Sequence, residues 1–381
     1  MKKRKRLFYA FALIASIVSL FVLYIQATGP TLSEQDVGTK YPTLYSDTHI
    51  TRNAIVTDER FKDLANINKE SSLASVAGSL QAKKASISAK QREKGTWLWT
   101  PTVEMTPKYV NEIITGAKRN GVRNIYLSID SYLDIYVMPD GKEKENKKKT
   151  FDSIIQSFIT VAHKNNMTVD AEAGWRNWAE PGNEYKAFAI VDYAMQFNAT
   201  HDEKFRGFQY DIEPYMLDYY QTDKKAVLRN FVDLVKKTVA LLENSDLEFS
   251  VVIPDFYDGA SGETPRFIYG INYSYTFTHL LRVLDRKPGS TILVMAYRNQ
   301  SEGADGSIEI SEDEILSADG YSTKVVVAQE TGDILPTSFT FYNTSLSSLN
   351  TQVDKIDKAF LDNESYNGIA IHYINALMEL E

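Results

Sequence analysis

Arg206-Gly-Phe-Gln-Tyr-Asp-Ile-Glu-Pro-Tyr215 is the stretch on which the reading of the whole chain turns. Phe205 to Glu213 has the composition of a β-strand, and it ends in two carboxylates two positions apart, Asp211 and Glu213. Positions i and i+2 of a strand face the same way, so both acids project side by side. Pro214 then stops the strand, because it offers no N–H to the ladder. The bland alternative is a pair of acids held by Arg206 or Arg176 at a sheet rim. The chemical one is a carboxylate-driven hydrolase.

Outward from this stretch, strand-like and helix-like segments alternate. Upstream lie Trp97 to Thr100, Asn124 to Asp130 and Met167 to Glu172 as strands; downstream lie Leu247 to Ile253, Thr291 to Tyr297, Lys324 to Gln329 and Gly368 to Tyr373. Between them apolar residues recur at helical spacing over Pro107 to Gly121, Phe151 to Lys164, Tyr185 to Asn198, Asp223 to Leu242, Tyr275 to Asp285 and Leu349 to Leu361. The run Lys142 to Lys149 reads as an exposed charged loop, and Ser311-Glu-Asp-Glu314 as a capping box opening a short helix. Eight strands alternating with helices imply parallel pairing with right-handed crossovers. The expected fold class is α/β, a (β/α)8 TIM barrel over 95–381, with an open doubly wound sheet as its rival. No Gly-x-Gly-x-x-Gly or Walker-type loop follows any strand, so neither a nucleotide nor another cofactor is expected.

In such a barrel the chemistry sits at the C-terminal strand ends, and polar and aromatic residues collect there. In chain order these ends carry Trp97 and Trp99; Asp130; Glu172, then Trp175 and Arg176; Asp211, Glu213 and Tyr215; Asp255 and Tyr257; Tyr297 and Arg298; Gln329 and Glu330; and His372. Acids mixed with aromatics suit a sugar. Glycosidic cleavage needs a proton donor and a second group to stabilise an oxocarbenium-like centre, while aromatic faces stack on sugar rings. Glu213 is the expected proton donor, with Asp211 and Glu330 as rivals for the second role. Asp130, Glu172 and Asp255 are candidate hydroxyl contacts. Tyr297 could be core or site, one of Trp97 and Trp99 could stack on a sugar or pack, and strand seven could present Gln329 in place of Glu330. His372 reads as a rim histidine. No metal is expected, since the five histidines form no His-x-x-x-His or His-x-x-Glu pair, and no Gly-x-Ser-x-Gly elbow supports acyl transfer.

The remainder of the chain frames this barrel. Five bases precede an uncharged apolar run over 7–25, long enough to span a bilayer and oriented with the barrel outside. The expected organisation is a basic tail and transmembrane anchor over 1–27, or a cleaved signal peptide, then a partly helical stalk over 28–94. The expected location is the cell membrane, barrel outward, or secretion after cleavage. Net charge is −8, and near −13 without the five N-terminal bases. That argues against nucleic acid as a partner; the expected partner, from the acids and aromatics at the strand ends, is a polysaccharide or oligosaccharide. The chain has no cysteine, which removes disulfides, thiolate metal sites and cysteine nucleophiles.

Three likenesses bear on this. Gly207-Phe-Gln-Tyr-Asp211-Ile-Glu213 resembles the strand-four signature of family 18 chitinases, and Met295-Ala-Tyr297 resembles that family's strand-six motif. The resemblance implies Glu213 as general acid, with Asp211 and Tyr297 holding a substrate acetamido group that acts as nucleophile. Arg206 and Gln209 stand where the signature has its first two aspartates, and Arg298 where an aspartate follows the tyrosine. Glu213-Pro214 with Gln329-Glu330 is similar to the acid/base and nucleophile positions of the large retaining glycosidase clan, although Ile212 stands where that clan has asparagine. The C-terminal part, Ser338 to Tyr342 and Gly368 to His372, is similar to bacterial surface barrels related to glycosidases.

Overall fold

The computed structural model describes residues 92–380. The anchor and nearly all of the stalk lie outside the described residues. Among those described, no helix is long and apolar enough to cross a membrane.

Eight parallel strands close into a barrel: β1 (Glu93–Leu98), β2 (Asn124–Ser128), β3 (Thr168–Ala173), β4 (Gly207–Tyr210), β5 (Glu248–Pro254), β8 (Thr291–Met295), β9 (Lys324–Glu330) and β10 (Tyr366–His372). β10 pairs with β1 to complete the ring. The helices between them are α1 (Pro107–Arg119), α2 (Tyr132–Tyr136), α3 (Lys142–Lys164), α4 (Glu184–Thr200), α5 (Tyr220–Leu241), α6 (Thr276–Leu284), α7 (Ser307–Ala318) and α8 (Leu346–Ala359); α9 (Ile374–Glu379) follows β10. The open-sheet alternative is therefore excluded.

The helices form for local reasons. α1 opens with the Thr106 side chain accepting from Tyr109 N (3.2 Å) and with Pro107 in its first turn. It buries Val110, Ile113, Ile114 and Ala117, and carries Lys118 and Arg119 where the dipole favours cations. Alternation within the strands then makes two cores. Phe208, Tyr210 and Ile212 face the helices, whereas Trp97, Tyr126, Val252, Leu293, Val326, Ala328 and Ala370 fill the barrel.

Several expectations are corrected. The run over 142–149 is the first part of α3 rather than a loop, because i,i+4 pairs such as Lys147–Glu143 (3.5 Å) and Lys148–Asp152 (2.8 Å) support a helix that apolar spacing alone did not reveal. Ser311 is not a cap. α7 begins a turn earlier, and the Ser311 hydroxyl donates to Ser307 O (2.6 Å). A hairpin of β6 (Phe267–Tyr269) and β7 (Asn272–Ser274) interrupts the β5–α6 connection. Finally, β4 ends at Tyr210 and β1 starts at Glu93, two residues inside the expected stalk. Asp211 thus lies just past the strand, although its N–H still donates to Ala173 O (3.2 Å) and continues the β3 ladder.

The N-terminal mouth of the barrel is closed by ions. Arg206 binds Asp170 through two hydrogen bonds (2.9 and 2.6 Å), reaches Glu93 (2.6 Å) and lies near Glu248 (3.6 Å), while Asn124 also donates to Asp170 (2.9 Å). Arg206 is therefore committed at the end of β4 opposite Asp211 and Glu213. The bland reading that paired it with them falls.

Candidate active site

The ladder that continues past β4 keeps Asp211 in the inward series begun by Gln209, and the chain carries Glu213 to the same mouth before Pro214 starts a 3₁₀ turn. β2 and β3 add Asp130 and Glu172, both buried. Gly174 makes this crossing possible: a Cβ there would lie 1.9 Å from Asp211 O. Its N–H donates to Asp130 Oδ1 (3.3 Å).

These four carboxyls share one electrostatic problem. Burial raises the Asp130 pKa well above the ordinary value, with the Asp211 charge adding to it and the Gly174 N–H opposing. Glu172 is also pushed well up by burial and by the charges of Asp130 and Asp211. Neither of its oxygens meets a donor in hydrogen-bonding geometry, and the nearby Ser128 hydroxyl offsets little. Burial, then the neighbouring Glu213, pushes Asp211 up to about 8, against the influence of His372. Glu213 is raised by burial, with Tyr215 and His372 working against the rise. The Tyr215 hydroxyl donates to Glu213 Oε1, which leaves Oε2 as the oxygen that can carry a proton.

On the opposite side of the mouth, Glu330 is only 3% exposed. Its Oε1 accepts from the backbone N–H groups of Thr331 (2.8 Å) and Gly332 (2.6 Å), and its Oε2 is paired with His372 Nδ1 (2.7 Å). Both oxygens are thus engaged within the protein. Trp99 Nε1 donates to His372 Nε2 (2.9 Å). Burial alone would lower the His372 pKa, but the charge of Glu330, joined by Asp211 and Glu213, raises it. Gln329 faces the helices, bonded to Ser307 (3.2 Å) and Ala296 O (2.9 Å), so strand seven presents Glu330 inward.

The other expected residues divide. Trp97 is a core residue and no platform: it is 1% exposed and donates to Gln209 Oε1 (2.6 Å). Tyr257 is likewise fully buried, packed against Phe231, Phe256 and Tyr215. Tyr297 is half-buried and its ring is nearly parallel to His372 (28°, 6.1 Å). Asp255 lies 3.6 Å from Arg298, which also binds Asp305 (2.9 Å) and covers the Phe339 ring. Trp175 lies half-buried beneath Arg176 (5.3 Å), with its Nε1 lacking a hydrogen-bond partner among the described residues. The sequence did not single out Gly174 or the Thr331-Gly332 amides. A glycine directly after β3, two positions past the acid Glu172, was the available sign of a close backbone approach.

Solved structures share this architecture. The endo-1,4-β-D-mannanase of Thermotoga petrophila superposes with a TM-score of 0.50 at 12% identity, over 74% of this chain and 88% of that one. The β-mannanase of the mussel Mytilus edulis (TM-score 0.46, 11% identity, 76% and 90% covered) and a family 18 chitinase of Pseudoalteromonas aurantia (0.42, 11%, 74% and 93%) are also similar. The chain shares with them the closed eight-stranded (β/α)8 barrel fold. No protein-family model and no curated protein matches the sequence. The likeness therefore speaks to fold alone, and the chemistry has to be argued from the mouth itself. Among the described residues no group of His, Asp and Glu is arranged to hold a metal ion.

Proposed function

We propose that the barrel is a glycoside hydrolase of an extracellular or cell-surface polysaccharide, with Glu213 as proton donor. The observation that carries this is the pairing of Glu213 and Asp211 in one half-buried mouth, both with raised pKa values and with Tyr215 fixing one Glu213 oxygen. A carboxyl whose pKa is raised keeps its proton to higher pH than an ordinary one and can give it to a leaving oxygen.

The second role falls to Asp211. With both Glu330 oxygens engaged by His372 and two backbone amides, a glutamate nucleophile on β9 is disfavoured and the substrate's own acetamido group takes that part. Glu213 Oε2 gives its proton to the glycosidic oxygen as the C1–O bond breaks, and the acetamido carbonyl oxygen bonds to C1. Asp211, in the ionised form that its raised pKa of about 8 confines to the alkaline side, accepts from the acetamido N–H and balances the developing positive charge. The Glu213 carboxylate then takes a proton from the water that opens this intermediate, and configuration is retained. Tyr297, Trp175, Arg176 and Asp255 would contact flanking sugars. Exposed Met216, Tyr219, Ile271, Tyr273, Leu335 and Tyr342 lie on loops after β4, β5 and β9, at the same barrel end, and suit a polymer better than a single sugar. The segment over 7–25 would hold the barrel outside the cell membrane, or be removed on secretion.

The test is a panel of polysaccharides, N-acetylated and non-acetylated, assayed for released ends. The reading expects release from N-acetylhexosamine polymers with retained anomeric configuration. Release confined to non-acetylated polymers would overturn the acetamido step.

A further inference from the structure

Trp99 continues the inward series of β1 one layer above Trp97, just past the strand's last residue. Trp97 is buried inside the barrel, whereas Trp99 is half-buried at the mouth. The one polar atom of Trp99 is committed. Its indole Nε1 donates to His372 Nε2 (2.9 Å), and the two rings meet edge to face (5.7 Å, 61°). What the indole still offers to the mouth is apolar ring surface.

The contacts behind His372 hold that ring in place. An indole N–H only donates, so His372 Nε2 presents its lone pair, and the neutral imidazole carries its proton on Nδ1, towards Glu330 Oε2 (2.7 Å). Glu330 Oε1 accepts from the N–H groups of Thr331 (2.8 Å) and Gly332 (2.6 Å). Three donors therefore converge on one side chain, and a carboxylate can accept from all of them. An amide cannot. With its oxygen turned to the two backbone N–H groups, its NH2 faces Nδ1, the imidazole proton moves to Nε2, and there it meets the Trp99 N–H. The opposite orientation sets the NH2 against both backbone donors and is the costlier. The indole is thus held only while Glu330 stays a carboxylate.

We propose that Trp99 is a sugar platform of the mouth, and that Glu330 and His372 are positioning residues that fix its plane. The inference rests on the glycosidase reading for its ligand, a sugar ring with an apolar C–H face, but it needs binding and not cleavage. Glu330 touches no sugar and acts through His372. This gives a use to a carboxylate that the acetamido route leaves without one.

The test is a double-mutant cycle on binding. The full chain carrying Glu213→Gln, so that bound sugar is not cut, is titrated with chitopentaose and with mannopentaose. Trp99→Ala should weaken binding about tenfold, the size of one lost aromatic contact. Glu330→Gln should weaken it by about threefold or more, yet change nothing further once Trp99 is alanine. His372→Phe keeps a ring and loses the acceptor; it should reproduce Glu330→Gln and replaces it if that variant does not fold. Without any sugar, the nitrogen-15 resonance of the Trp99 indole, identified by its loss in Trp99→Phe, should move in both variants. Binding unchanged by Trp99→Ala, an effect of Glu330→Gln that persists in full without Trp99, or no binding of either sugar would overturn the proposal. Trp99-dependent binding by a wild type that cleaves no polymer would sustain it while the hydrolase reading fails.

Discussion

At the scale of single residues, Glu213 depends on what its oxygens touch. Tyr215 donates to Oε1 and thereby lowers the Glu213 pKa against burial. Tyr215→Phe removes that donor, so the Glu213 pKa rises and its acid form persists to higher pH. The alkaline limb of the kcat/KM profile should therefore move upward, by up to about a unit. Asp211 and Glu213 were legible in the sequence because a period of two puts them on one face, although β4 ends at Tyr210, before Pro214. The engagement of Glu330 was not legible. It depends on two backbone amides of its own following turn and on a histidine 42 positions away, which no local pattern encodes. Trp97 and Trp99 make the same point. They are two residues apart at the end of β1, Trp99 just past it, yet one is deep in the barrel and bonded to Gln209 while the other caps His372.

At the scale of elements, the ends of β3 and β4 decide the geometry of the mouth. Gly174→Ala drives a methyl group into the Asp211 carbonyl. It should destabilise the fold by about 3 kcal/mol, the upper end of overpacking costs, and displace Asp211; urea denaturation and the activity assay read the two effects separately. At the other end of the same strands, Arg206→Ala leaves Asp170 with its charge buried and unpaired, beside Glu93 and Glu248. A loss of about 3–5 kcal/mol is expected, with the Asp211 site chemistry otherwise intact in the folded fraction. The strands and most helices were readable because apolar residues recur at 2 or 3.6 positions. α3 was partly missed because its first turns are held by ion pairs rather than by a buried stripe. The β6–β7 hairpin was missed because Ile268 and Tyr273 point outward, so that no alternation marked it.

At the scale of the whole molecule, the buried acids set the response to pH. Glu172 and Asp130 have folded pKa values above their unfolded ones. Below the unfolded values, near 4, both states are protonated and there is no penalty. Above them the unfolded chain loses protons that the fold retains, so stability falls as pH rises, by up to about 1.4 kcal/mol per pH unit per group, until the folded values are passed. Glu172→Gln should flatten this slope and raise the melting temperature at neutral pH, measured by thermal unfolding between pH 4 and 8. The barrel as a whole was legible from eight alternating units, whereas the sharing of charge among the ends of β2, β3 and β4 became readable only with the strands in register. The central claim is that Glu213 is the proton donor of a sugar-cleaving mouth. The most direct measurement compares wild type with Glu213→Gln on the polysaccharide panel, with glycan binding followed in parallel. The account predicts polymer cleavage by wild type and a loss of at least about a hundredfold in Glu213→Gln, with binding and melting temperature retained. Absence of release from every polymer, together with glycan binding equal in both proteins, would contradict it and leave a barrel that binds glycan or an envelope partner without cutting it.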